Sequence, residues 1–472
     1  MTGLLLRDAE LDGRTRADVR IAGGRVTEIA GSLTRRAGEA EHDCHGGALL
    51  PGLCDHHLHL FALAAQARSI HCGPPAVTDR AGLGAALATA GPDRHGWIRG
   101  VGYFETVAGD LDAAVLDRMC PDRPVRVEHR SGALWMLNTA AVSAVGLASA
   151  DHPGIERTGD GTPTGRLWRA DAWLRTRLPP PPPPDLDAIG TRLARLGITA
   201  VTDATPDLDA GTVEAIADAV RDGALPQRVH LLGAPLDTAP PGDVPRLGIG
   251  PYKIVLADSA LPSLPDLTHR IRTVHATGRA IAAHCVTREA LVILLAALDD
   301  AGVLPGDRIE HAALVPAELV PELARLRLRV VTQPGFLAHR GDDYLRDIPG
   351  IEHSDLYRCA SLTAAGIPLA LSSDAPYGPL DPWAVINAAV HRRTPAGRVA
   401  GPGERLTPGQ AVAAYLAPPG DPGGPARRVR VGADADLILL HVPLAAALAA
   451  PDPALIRTVL ADGRPVRQNP LI

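Results

Sequence analysis

Residues 48–59 read Ala48-Leu49-Leu50-Pro51-Gly52-Leu53-Cys54-Asp55-His56-His57-Leu58-His59, an apolar run that closes on two histidines spaced two apart. In an extended strand residues i and i+2 face the same side, so His57 and His59 present two imidazoles together while His56 points away. Imidazole nitrogen and carboxylate oxygen are the ligand set that suits zinc and similar divalent ions. A single histidine at a strand end is ordinarily no more than a hydrogen-bonded residue, so the reading turns on what else the chain places at strand ends.

Three further short apolar stretches end the same way: Ala280-Ile281-Ala282-Ala283-His284, Arg308-Ile309-Glu310-His311-Ala312, and Pro368-Leu369-Ala370-Leu371-Ser372-Ser373-Asp374. The chain also has 47 basic residues, of which one, Lys253, is a lysine, and it stands in the strand-like run Pro251-Tyr252-Lys253-Ile254-Val255-Leu256. Arginine stays protonated, whereas a desolvated lysine amine loses its proton and can form covalent bonds, including a carbamate with CO2. Such a carbamate is a carboxylate-like bridge between two metal ions. Taken singly, the lone lysine is a compositional accident; beside four strand ends carrying ligands, that explanation is weak.

The spacing between these groups counts strands, because parallel strands need a crossover of a dozen or more residues, usually a helix. Eight are expected: one ending at His59, then 197–203, 228–233, one holding Lys253, one ending at His284, one ending at His311, 330–334, and one ending at Asp374. Stretches 209–222, 266–277, 288–301 and 316–326 are rich in Ala and Leu with apolar residues three and four apart, the helical period. Alternating strands and helices predict an α/β fold with a parallel barrel, and such barrels carry their chemistry at the carboxyl ends of the strands. Every candidate ligand lies at such an end.

The ordered set His57-x-His59, Lys253, His284, His311 and Asp374 resembles the metal-dependent amidohydrolase superfamily. Finer segments resemble its amidohydrolase family 3 branch, which includes N-substituted formamide deformylase-like hydrolases. They are Trp97-Ile98-Arg99-Gly100-Val101-Gly102, Pro163-Thr164-Gly165, 196–203, Asp307-Arg308-Ile309-Glu310-His311, and Ser373-Asp374-Ala375-Pro376 with Asp381-Pro382, spread over most of the chain. The resemblance implies a distorted TIM (β/α)8 barrel and a site of one or two Zn2+ per chain, or another divalent metal. It also implies hydrolysis of an amide-type, non-peptide carbon-nitrogen bond of a small molecule by metal-bound hydroxide. Carried over by residue, His57 and His59 hold the more buried ion, His284 and His311 the more exposed one, and carbamylated Lys253 bridges them. Asp374 contacts the metal and is the catalytic acid/base, with Glu310 and Ser373 as supports. Two departures from the branch argue for an altered substrate. In His284-Cys285-Val286-Thr287-Arg288-Glu289-Ala290 the acidic residue usual four places after the strand-five histidine is replaced by Arg288, and Ala133 stands where a histidine often follows the Ser-Gly pair.

A barrel takes about 250 residues, so 472 residues leave room for additions. Both termini alternate polar and apolar residues, at 17–29 and again at 435–440 and 458–466, with Gly23-Gly24 as a hairpin turn. They are expected to pair as one small β-sandwich domain, 1–47 with 418–472, around a barrel of 48–67 and 185–417. The insertion 68–184 closes on the proline run Pro179–Pro184, which cannot continue a helix or a central strand. It holds four of the five tryptophans in a chain only 3% aromatic, so it is read as a lid. Trp97, Tyr103, Trp135 and, from the barrel, His339 are the candidate substrate contacts; the competing explanation is that the rings form the insertion's own core.

A net charge of −6 and a pI near 6.3 provide no basic patch for nucleic acid, and the longest basic cluster is Arg427-Arg428 with Arg430. Leu4-Leu5-Leu6 is far short of a signal-peptide core, and no stretch has the length of a membrane span. Six scattered cysteines without CxxC spacing predict neither a disulfide framework nor a zinc knuckle. The expectation is a cytoplasmic enzyme with a small-molecule substrate and no nucleic-acid or membrane partner, with a homodimer as the assembly considered. The alternatives are a single-metal hydrolase, isomerase or hydratase acting on a cyclic or ester substrate, and a catalytically silent scaffold relative.

Overall fold

The computed structural model describes residues 3–74, 76–180, 184–257 and 260–468; positions 181–183 of the expected proline boundary lie outside the described residues. The chain forms two compact units. One comprises the residues up to Leu60 with those from Leu186 onward, the other Phe61–Asp185.

In the first unit all eight expected strands are present: β1 Leu53–Leu58, β2 Ile198–Asp203, β3 Arg228–Leu231, β4 Tyr252–Val255, β5 Ile281–Cys285, β6 Arg308–His311, β7 Arg329–Thr332 and β8 Leu369–Leu371. They form two parallel sheets, β1-β2-β3 continued by Leu247–Ile249, and β4 to β8 in sequence order. Parallel strands covered on both faces need unbroken apolar runs, and β1 and β2 are buried at every residue. Helices Ala210–Arg221, Leu264–His275 and Arg288–Ala301 follow the strands as the period predicts, each started by a side-chain cap from Asp209, Ser263 or Thr287. The two sheets are hydrogen-bonded at both margins. Asp374 N–H donates to the His57 carbonyl and His59 N–H to the Ala375 carbonyl, each at 2.8 Å, while Lys253 N–H donates to the Leu232 carbonyl at 3.1 Å.

The strands of both termini are hydrogen-bonded as one eight-stranded sheet. Its boundary differs from the expected one. Ala48–Pro51, assigned above to the barrel, pairs with Leu437–Leu440 and with Leu4–Leu11. The chain passes from this sheet into β1 at Gly52, where a Cβ would stand 2.2 Å from the Thr199 side chain, so only glycine permits the close crossing.

The second unit, 61–185, is built on a six-stranded sheet. Along Leu134–Leu137 the side chains alternate between two cores. Leu134 and Met136 join Tyr103, whereas Trp135 and Leu137 join Trp97.

Candidate metal centre

Burial and alternation decide what each strand end offers. His57 is fully buried in β1, and its Nδ1–H donates to Glu310 Oε2, a carboxylate whose Oε1 accepts from Arg308 Nε. That bond leaves Nε2 of His57 as the inward-facing nitrogen. His59 is held in the same manner by its Nδ1, 3.2 Å from Thr205 Oγ1, and His311 donates from Nδ1 to Gln333 Oε1 at 2.9 Å. Each of these three rings thus has one nitrogen occupied by a positioning group. Burial drives the His57 and His311 imidazoles well below their ordinary pKa, so both stay neutral and able to offer a lone pair.

The free nitrogens of His57 and His59 converge on Asp374, whose Oδ1 lies 3.4 Å from His57 Nε2 and 3.2 Å from His59 Nε2. The His311 nitrogen 3.9 Å from Asp374 Oδ2 is the Nδ1 already bonded to Gln333. Asp374 Oδ1 is buried and accepts no hydrogen bond among the described residues. Lone-pair atoms that face one another in a water-poor site repel unless a proton or cation lies between them. The donor atoms of His57, His59 and Asp374, all within 4.8 Å of one another, therefore fit a divalent ion.

The remaining candidates lie beside this triad. Lys253 is buried with Nζ 3.5 Å from His57 Nε2, and burial pulls its amine down to about 8. The His311 ring centroid is 4.7 Å from that of His57 and 4.5 Å from that of His284. All six predicted residues are thus gathered in one place. Backbone geometry aims two of them: Asp374 has φ +55°, and β6 ends on His311 at φ +72° and Ala312 at φ +45°. Non-glycine residues in this left-handed region are strained, and such strain concentrates where a side chain must be pointed.

The expected substrate contacts fare differently. Trp97 and Trp135 are 6% and 5% exposed in one core of the second unit, and Tyr103 is fully buried in the other with its hydroxyl donating to the Gly109 carbonyl. Their apolar surface is used for packing, so these three rings are core residues and that reading is corrected. His339 is exposed on the helix Gly335–Asp347 after β7.

Sequence reading passed over Asp55, Thr205 and Gln333. Asp55 Oδ1 accepts the backbone N–H of His57 at 3.2 Å and of Ser373 at 3.1 Å, tying β1 to the Asp374 loop. Burial pushes its carboxyl up to about 7. Its place two before His57, on the same strand face, was the available signal. His56 does point elsewhere, its Nδ1 3.6 Å from Cys54 Sγ.

A family model described as amidohydrolase family matches residues 40–467. An N-substituted formamide deformylase from Arthrobacter pascens is 25% identical over 492 residues, covering 89% of this chain and 89% of that protein. A Bacillus subtilis (strain 168) protein, YtcJ, described as an amidohydrolase, is 25% identical over 400 residues, 75% of each chain. The crystal structure of an uncharacterized metal-dependent hydrolase from Pyrococcus horikoshii OT3 matches with a TM-score of 0.74 over 99% of this chain and 100% of that one, at 18% identity, a likeness of fold. No helix among the described residues is long and apolar enough to cross a membrane. With a family match along nearly its whole length, this chain belongs to the amidohydrolase family.

Proposed function

We propose that this protein is a metal-dependent hydrolase that cleaves an amide-type, non-peptide carbon-nitrogen bond of a small molecule. The observation that carries the reading is the convergence of His57 Nε2, His59 Nε2 and Asp374 Oδ1 without a hydrogen-bond donor at the carboxylate oxygen. The similarity to an N-substituted formamide deformylase supports the bond type. We read the eight parallel strands, bonded at both margins, as a closed and distorted barrel with this site at its carboxyl end.

His57, His59 and Asp374 would hold the ion, with His284 and His311 as ligands of a second one, and zinc suits this donor set. When bound, a divalent ion acidifies water and draws electron density from a carbonyl oxygen. The protein's own groups supply the rest. Asp374 takes the proton from the attacking water at a carboxylate oxygen and delivers it to the departing amine nitrogen, so that water and amide become acid and amine. Glu310, Thr205 and Gln333 keep the imidazoles turned inward. Lys253, with its amine held at about 8, is partly neutral at physiological pH. Its nitrogen can then add to CO2 and lose a proton, giving a carbamate in place of a cation beside His57.

A single-metal hydrolase is the second reading, favoured by one observation: the mutually close donor atoms are those of His57, His59 and Asp374 alone among the described residues. Metal analysis of the purified protein separates one ion from two. The function itself is tested by incubating metal-loaded protein with N-substituted formamides, simple amides, cyclic imides and lactones and measuring amine or acid released, before and after chelation. Chelator-sensitive amine release supports the reading; turnover confined to lactones, or none at all, sinks it.

A further inference from the structure

The carboxyl ends of β5 to β8 share one apolar cluster, in which Val286, Ala313, Phe336, Tyr344, Tyr357 and Tyr377 pack together. This cluster adjoins the metal centre. Tyr377 meets His59 edge-on with ring centroids 5.5 Å apart. Phe336 lies against Gly378, where a Cβ would stand 3.1 Å from Phe336 Cε1, and Gly378 N–H donates to the Asp374 carbonyl at 3.1 Å.

One cation is set among these rings. Arg340 sits at a break in the helix Gly335–Asp347, with φ −145° and ψ 23°. The next residue is Gly341, where a Cβ would meet Thr394 Cγ2 at 2.7 Å, so the bent segment is seated tightly. The Arg340 guanidinium carbon is 4.2 Å from the Phe336 ring centroid and 6.0 Å from that of Tyr344. Its Nε is buried without an acceptor, and none of its nitrogens makes a hydrogen bond or ion pair among the described residues.

Two guanidiniums buried in the same unit are treated differently. Arg358 is paired with Asp355 and Glu404, and Arg392 donates to the carbonyls of Leu356, Tyr357 and Ala400. Stacking on an aromatic face satisfies the charge of an arginine in part but none of its five N–H donors. A planar fork held among aromatic rings, beside a hydrolytic site and without a carboxylate of its own, is matched in shape and charge by a carboxylate on a ligand.

We propose that Arg340 anchors an anionic group of the substrate, and that the substrate class is a carboxylate-bearing amide whose apolar portion lies against the partly buried rings of Tyr344 and Tyr377. This deepens the hydrolase reading and rests on it. The test is calorimetric binding of phenylacetate and of the neutral phenylacetamide to the metal-loaded full chain, in wild type, Arg340→Met, Arg340→Gln and Arg340→Lys.

Losing a charge-assisted fork should weaken phenylacetate about 10- to 100-fold more than phenylacetamide in the Met and Gln variants, with partial recovery in the Lys variant. Unfolding midpoints identify any variant that has lost its fold, and affinities are compared among those that keep it. Phenylacetate binding that is indifferent to Arg340, as for an anion held by the metal alone, overturns the proposal. So do equal losses for both probes, or no phenylacetate binding by the wild type. The result is separable from the hydrolase question. Arg340-dependent binding without turnover of any amide would retire the hydrolase reading, whereas amide hydrolysis with no Arg340 dependence would retire the anchor.

Discussion

Replacing Glu310 with glutamine changes one oxygen to an NH2 group and removes one charge, at a side chain with no exposure to solvent. Both carboxylate oxygens are in use, Oε2 by His57 Nδ1–H and Oε1 by Arg308 Nε–H. Glutamine has one acceptor oxygen to offer. Turned toward His57, it sets its NH2 against the Arg308 donor; turned toward Arg308, it obliges His57 to move its proton to Nε2, the nitrogen that faces Asp374. Arg308 Nη1 already lacks an acceptor, so nothing nearby relieves the arginine. Breaking a buried pair by removing one partner costs about 3–5 kcal/mol, which should appear in urea unfolding of the metal-free protein. Losing the carboxylate that orients a metal-binding histidine should lower metal affinity about 10- to 100-fold, or ~1.4–2.7 kcal/mol, in competition with a chelator. The reasoning fails if Glu310→Gln leaves the unfolding midpoint unchanged and binds metal within about threefold of the wild type.

Lys253→Arg keeps a positive charge but forbids a carbamate, so at least one metal equivalent and most activity should be lost; a full metal complement by elemental analysis would refute the bridge. Asp374→Asn removes a candidate metal ligand and the proton carrier together, so it should fold, bind metal more weakly than the wild type and hydrolyse nothing even with metal in excess; an active variant would place the proton carrier elsewhere. In the metal-free protein the Asp55 carboxyl, raised to about 7 from 3.8 by burial, keeps its proton where the unfolded chain has released it. The stability tied to that proton is complete below about pH 4 and lost as pH rises through about 7, so Asp55→Asn, which cannot ionise, should gain on the wild type across that window. A flat difference in urea midpoints from about pH 4 to 7 would contradict the raised value. Trp135→Ala should destabilise the second unit by about 3–5 kcal/mol, because the ring fills a core; an unchanged melting profile with a raised KM would restore it as a substrate contact.

The order of the eight strands and the six gathered side chains were legible in the chain because both are written in local patterns. Apolar runs of strand length ending in His or Asp, with helical spacing between them, need no knowledge of what lies opposite. The lone lysine was legible for the same reason, since its strand could be read from its neighbours. The aromatic rings of the insertion were misread because a tryptophan has one composition whether it packs a core or lines a site. Alternation placed Trp135 and Met136 on opposite faces, but both faces of that sheet are covered, and only packing reveals it.

The assignment of Ala48–Pro51 failed similarly, because a strand belongs to whichever sheet offers it hydrogen-bonding partners, and those partners come from residues 4–11 and 437–440. The amino-acid sequence by itself determined which residues could hold a metal and on which strands they lie, since ligand chemistry and strand period are local. Tertiary structure alone decided that Glu310 turns His57, that Asp374 Oδ1 is left without a donor, and that Arg340 is left without a carboxylate among the described residues. Each of those facts depends on groups far apart in the chain being brought together in a water-poor interior, where an unpaired charge or lone pair weighs far more than it does in solvent.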